Sequence, residues 1–143
     1  MNNPVSILIV DDEEPVRNVL MSALSDRYFC EAAESAEEAN RIMSLTPFNL
    51  VITDIQLPGA SGIDLCAQIR RTCPETLSVV MSGQTDTRFE TEATRHGAFD
   101  FITKPFDIQN VLDAVERALL YQSSVADTKM GVIATSNGRS AYE

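Results

Sequence analysis

Leu50-Val51-Ile52-Thr53-Asp54-Ile55-Gln56-Leu57-Pro58 is the stretch whose reading decides the fold. Apolar and β-branched residues run into a carboxylate, and Pro58-Gly59-Ala60-Ser61-Gly62 follows as a turn. A short, continuous apolar run bounded by turn residues is the pattern of a parallel strand buried on both faces. Asp54 stands where that strand ends. In open α/β sheets ligands bind outside the C-terminal strand ends. An Asp before Pro and Gly also serves as a plain turn cap. The neighbouring strands choose between these two roles.

Upstream, Ser6-Ile7-Leu8-Ile9-Val10 is a second run of the same kind, followed at once by Asp11-Asp12-Glu13-Glu14 and Pro15. Proline fits the first turn of a helix, and acids near a helix N-terminus suit its dipole. Val16, Val19, Leu20, Ala23 and Leu24 then give one apolar face at helical spacing. Phe29 to Ala33 is a weaker strand. Ser35-Ala36-Glu37-Glu38 is a capping-box pattern opening a helix whose inner positions are Ala39, Ile42, Met43 and Leu45, and Pro47 ends it.

Downstream of Asp54, Ile63, Leu65, Cys66 and Ile69 form a third helix. Leu77 to Met81 is a fourth strand, closed by Ser82-Gly83. A helix from about Asp86 to Arg95 has a thin apolar face, carried by Phe89 and Ala93. Phe99 to Thr103 is a fifth strand, ended by Lys104-Pro105. Asp107 caps a last helix with Ile108, Val111, Leu112, Val115 and Leu119 inward. Strand and helix alternate throughout, which predicts an α/β fold: a doubly wound parallel sheet with helices on both faces.

The chain has 143 residues, enough for one domain with its own core. Residues 1–121 are expected to form it, and 122–143, rich in Ser, Thr and Gly, to be a tail or linker. The net charge of −10 opposes direct nucleic-acid binding. No apolar run is long enough to span a membrane and no signal pattern opens the chain, so a cytoplasmic location is expected. Cys30, Cys66 and Cys73 make no C-x-x-C pair and read as idle thiols.

The polar residues at the strand ends form one constellation. Asp11 and Asp12 end the first strand, Asp54 the third, Ser82 the fourth and Lys104 the fifth. In a parallel sheet these ends share an edge. Carboxylates at close range repel unless protonated or bridged by a cation. A hard divalent ion such as magnesium resolves that, with water and phosphate oxygens completing its shell. Lys104, the sole lysine before residue 122, adds a compact positive charge, and Ser82 a hydroxyl. Together they make a phosphoryl site in which a carboxylate attacks in line.

These motifs resemble the response-regulator receiver domain of two-component signalling: Val10-Asp11-Asp12-Glu13, Asp54 with Pro58 and Gly62, Ser82-Gly83, Gly97-Ala98-Phe99-Asp100-Phe101, and Lys104-Pro105-Phe106. The resemblance covers about residues 6–121. It implies a flavodoxin-like (βα)5 fold of strand order 2-1-3-4-5. It implies Asp54 as phospho-acceptor, with Mg2+ (Mn2+ as substitute) held by Asp12 directly, by Asp11 mainly through water, by Asp54 and by the Gln56 backbone carbonyl. Lys104 would contact the phosphoryl group, Ser82 would be the switch hydroxyl and Phe101 the switch aromatic. A cis bond before Pro105 would aim Lys104 inward. The implied partners are a sensor histidine kinase or phosphotransfer protein, or a small phosphodonor. A homodimer through the fourth helix, fifth strand and fifth helix is a further implied contact. The protein would be no enzyme beyond its own phosphorylation and dephosphorylation.

Gln56 and Gln84 occupy positions near the mouth of the site that vary in this family. A haloacid-dehalogenase-type phosphatase also uses an Asp at a strand end but wants a general acid two residues on, where this chain has Gln56. A receiver that only binds partners would lack an acid, the acceptor or the lysine, and all are present. Flavin binding fails on four acids where a phosphate loop would be.

Overall fold

A computed structural model of the protein describes residues 4–83 and 87–135. Strands and helices alternate along the chain: β1 (Ser6–Val10), α1 (Glu14–Leu24), β2 (Phe29–Ala33), α2 (Ala36–Leu45), β3 (Leu50–Asp54), α3 (Gly62–Thr72), β4 (Leu77–Ser82), α4 (Thr87–Arg95), β5 (Asp100–Thr103) and α5 (Ile108–Thr135). All pairings in the five-stranded sheet are parallel, in the order β2-β1-β3-β4-β5. This is the flavodoxin-like arrangement.

The alternation of side chains along each strand divides the core between the two faces. Ile7, Ile9, Leu50, Ile52, Val79 and Met81 meet Leu20 and Leu24 of α1 and Val111, Val115 and Ala118 of α5. Leu8, Val10 and Val51 meet Ala36 and Ala39 of α2 and Leu65 and Ile69 of α3. Val80 turns to the same side and packs with Cys66 and Ala93, Phe89 and Phe101 lying partly buried against them. The central strands β3 and β4 are apolar almost throughout because both their faces are covered. At the edge, β2 leaves Phe29 50% exposed, which is why its pattern is the weaker one.

Two expected core positions lie outside. Val19 is exposed and lines a shallow groove with Ile108. Leu45 is exposed because it is the last residue of α2, where the chain turns away at Thr46. The sequence pattern at Ser35 is half realised: its side chain accepts from Glu38 N, but Glu38 Oε1 accepts from Glu34 N instead of returning to Ser35. A reciprocal capping box forms instead at Ser61 and Asp64, opening α3. Asp86, expected as the start of the fourth helix, lies outside the described residues.

At the C-terminus, residues 122–135, read above as part of a tail or linker, continue α5 without a break. No glycine or proline interrupts the chain between Tyr121 and Met130, so the helix has no cause to stop at residue 121. Among the described residues no helix is long and apolar enough to cross a membrane. The three cysteines are free. Burial pushes the Cys66 thiol up to about 11, so it stays protonated and unreactive at neutral pH.

The strand registers bring the polar ends to one edge. Val10 pairs with Thr53, Asp54 with Met81 and Ser82 with Thr103. Gly62 then presses the start of α3 against the end of β3. Its N–H donates to the Ile55 carbonyl at 2.9 Å. A Cβ there would lie 2.0 Å from the Asp54 carbonyl oxygen, which is fixed backbone and cannot give way. At Gly83 an added Cβ would meet nothing within 4 Å. Gly62→Ala is therefore expected to lower unfolding stability by roughly 1–3 kcal/mol or more. Gly83→Ala is expected to change it by less than about 0.5 kcal/mol. Chemical denaturation of the two variants against the parent checks both.

Candidate functional site

Asp11 is the pivot of the edge, and its polar atoms are all engaged. It is fully buried. Its N–H donates to the Ala33 carbonyl at 3.1 Å. Its own carbonyl accepts from Arg17 Nη1 at 2.8 Å. Oδ1 accepts from Glu13 N at 2.9 Å, and Oδ2 from Lys104 Nζ at 2.8 Å. Asp54, also buried, accepts from the same ammonium at 3.1 Å through Oδ2. Its Oδ1 has a long contact of 3.4 Å from Gln56 N. Lys104 thus joins the first strand end to the third across the sheet. Its backbone N–H donates to the Ser82 carbonyl at 2.8 Å, which fastens the β5 end to β4. The Lys104-Pro105 peptide bond is cis.

Asp12 is exposed, and one of its oxygens comes within 4.8 Å of an oxygen from each of Asp11 and Asp54. Glu13 adds a further carboxylate, 3.8 Å from Lys104 Nζ. One ammonium therefore faces several carboxylates. The donors are all oxygen and their negative charge is under-compensated, which fits a hard divalent cation and not a soft metal. The three aspartates are the residues that can hold such an ion.

The electrostatics follow from burial and this charge balance. Burial holds the Asp54 carboxyl above the ordinary range and outweighs Lys104, which pulls it down; Asp11 adds a small push upward. Burial pulls Lys104 down, but its hydrogen bond and charge contact with Asp11, then Asp54, leave it above its usual value. Lys104 stays charged across the physiological range.

Ser82 is fully buried at the end of β4. Phe101 is half-buried on β5, packed toward Val80 and Ala93. Gln56 is exposed just past β3. Asp11, Asp12, Asp54 and Lys104 are thus brought into one cluster, with Ser82 on the adjoining strand end and Phe101 on the neighbouring face. Gln84 lies outside the described residues. Three residues hold roles that the sequence reading did not assign, although Glu13 and Gly62 stand in its motifs. Arg17 holds the Asp11 carbonyl from α1 and stands 3.8 Å from Glu34. Glu13 closes the turn over Asp11. Gly62 seats α3 against Asp54. Only Gly62 had a legible signal, as a glycine at a helix start after a strand-end acid.

Fold and edge together define a carboxylate-rich, lysine-bridged site on a flavodoxin-like sheet. Comparison with known proteins narrows this. Residues 7–116 match the response regulator receiver domain family, and the chain belongs to it. The response regulator protein PilR of Pseudomonas aeruginosa is 35% identical over 84% of this chain and 27% of its own length. The DNA-binding transcriptional regulator NtrC of Escherichia coli is 35% identical over 79% of this chain and 24% of its own. The chain thus spans about a quarter of these relatives. The crystal structure of the signal receiver domain of an HD domain-containing protein from Pseudomonas fluorescens superimposes with a TM-score of 0.83 at 29% identity, covering 89% of this chain and 95% of that one. Phosphorylation on an aspartate is the standard function of the family.

The raised Asp54 carboxyl has a stability consequence. The folded state holds that proton more tightly than the unfolded chain does. Stability therefore falls as pH rises from the ordinary Asp range through the raised value, and the loss persists above it. In chelator, Asp54→Asn is expected to melt above the parent at pH 7. The advantage should vanish below about pH 4, where the unfolded Asp is itself protonated. Paired melting curves across pH check the sign and the window.

Proposed function

We propose that Asp54 is the phospho-acceptor of this receiver domain. A sensor histidine kinase, a phosphotransfer protein or a small phosphodonor supplies the phosphoryl group. An Asp54 carboxylate oxygen forms a bond to phosphorus while the bond from phosphorus to the donor atom breaks, and the electron pair leaves with the donor. The observation that carries this reading is the Lys104 ammonium, 3.1 Å from Asp54 and shared with Asp11. It sits where charge on the transferring oxygens needs compensation.

Asp12, Asp11, Asp54 and the Gln56 carbonyl would hold magnesium, or manganese in its place. When bound, that ion supplies neutralisation of the carboxylates and of the phosphoryl oxygens. Asp12 is exposed and open to an ion, whereas both Asp11 oxygens already accept hydrogen bonds, which supports a direct role for the first and an indirect one for the second. Ser82 is the hydroxyl that answers the phosphoryl group, and Phe101 the ring that follows it. The altered surface is α4, β5 and α5. It serves a homodimer or an effector, and α4 is the mobile part because Ala93 is the only one of its described residues in the buried core. The domain turns over no separate substrate, works in the cytoplasm, and controls output through protein contacts and not by binding nucleic acid itself, in keeping with its net charge of −10.

Incubation with magnesium and acetyl phosphate, followed by trapping of the acyl phosphate and mass spectrometry, is expected to label Asp54 alone. Label on another residue, or full labelling of Asp54→Asn, overturns the assignment. Magnesium is also expected to raise the melting temperature of the parent by mass action. Asp12→Ala should abolish most of that rise while folding normally in chelator. An undiminished rise in Asp12→Ala removes it from the ion's ligands.

A further inference from the structure

Gln122 is the first residue past the stretch expected to form the domain, yet it is tied into the sheet. Its Nε2 donates to the Asn49 carbonyl at 2.9 Å and to the Glu75 carbonyl at 2.7 Å. Its Oε1 accepts from Asn49 Nδ2 at 3.3 Å. Asn49 in turn accepts from Ser6 N at 2.9 Å through Oδ1, and its backbone carbonyl also accepts from Leu77 N at 3.1 Å. One side-chain amide thus gathers the starts of β1, β3 and β4. Two carbonyls converge on Nε2, so the reverse orientation of the amide would set three oxygens against one another. The orientation is dictated by its partners.

Gln122 also ends the inward stripe of α5, which runs through Val111, Val115 and Ala118 at helical spacing. One residue earlier the ring of Tyr121 stands 5.2 Å from that of Phe99, and further back Arg117 pairs with Asp100 at 2.7 Å. Past Gln122 the helix continues to Thr135, about 20 Å further at roughly 1.5 Å per residue.

We infer that Gln122 is a positioning residue that fixes the direction in which the C-terminal helix leaves the domain, by clamping it to the sheet edge opposite the acidic site. The segment 123–135 moves with the sheet and not as a separate arm. This rests on no part of the phosphoryl chemistry, and its test is made on the unphosphorylated protein.

Backbone N–H residual dipolar couplings of the whole chain measure it. In the parent, one alignment tensor is expected to fit the sheet and residues 123–127 together. Gln122→Glu keeps the length but sets a carboxylate against two carbonyls, and Gln122→Ala removes the donor without adding charge. In both, the couplings of 123–127 should shrink at least about twofold as the helix swings, with the sheet couplings unchanged. Gln122→Lys can still donate to both carbonyls and should keep the common tensor. A parent that already needs two tensors overturns the proposal. So does a common tensor retained in Gln122→Glu and Gln122→Ala, or shrinkage in Gln122→Lys equal to theirs.

Discussion

The structure turns on one ammonium group held between two buried carboxylates. Two unit charges of like sign at about 4 Å repel by roughly 4 kcal/mol even at an effective dielectric of 20. Asp11 and Asp54 share that edge only because Lys104 Nζ lies 2.8 and 3.1 Å from them. The compensation is partial, since Asp12 and Glu13 stand close by as well. What remains is an excess of carboxylate oxygens that fits a hard divalent cation. The strand order brings β1 and β4 to either side of β3, so the acids and the lysine meet. In any order that separated these strands, the same residues would be ordinary turn chemistry.

Much of this was legible in the sequence because the strands report burial so directly. Leu50 to Asp54 and Leu77 to Ser82 are covered on both faces, and their continuous apolar runs say so. The aspartates and Lys104 were legible because each stands at a strand end. What escaped depends on tertiary placement. Arg17 reaches the Asp11 carbonyl from a helix whose spacing marks only its apolar side. Gly62 stood in a quoted motif at a helix start, but the backbone approach that requires it shows only in the fold. Val19 fits a helical stripe, yet α5 leaves it beside an open groove. The helical continuation past Tyr121 was hidden by composition: Ser, Thr and Gly read as tail or linker, but no glycine or proline falls between Tyr121 and Met130.

The two ends of the sheet are held by different physics. At the acidic edge a charged network is under-compensated, which suits it to hold a cation. At the opposite edge neutral amide contacts join Gln122, Asn49 and Glu75, and they change little with pH or salt. Between them β3 is a rigid connector, buried along its whole length. On one flank, Ala93 is the only described residue of α4 in the buried core, with Phe89 packed partly against it. Local opening is expected where such anchoring is thinnest. A molecule arranged this way keeps its frame fixed while one face is free to shift.

Burial raises the Asp54 carboxyl, and Lys104 holds it below where burial alone would put it. Carbon-detected NMR titration of the Asp54 carboxyl, in the parent and in Lys104→Gln without divalent ions, measures this directly. Burial persists in the variant while the lowering influence of the ammonium is lost, so the Asp54 midpoint should move further above the ordinary range than it does in the parent. An Asp54 midpoint unchanged by Lys104→Gln, in a variant whose sheet is intact, would contradict the account.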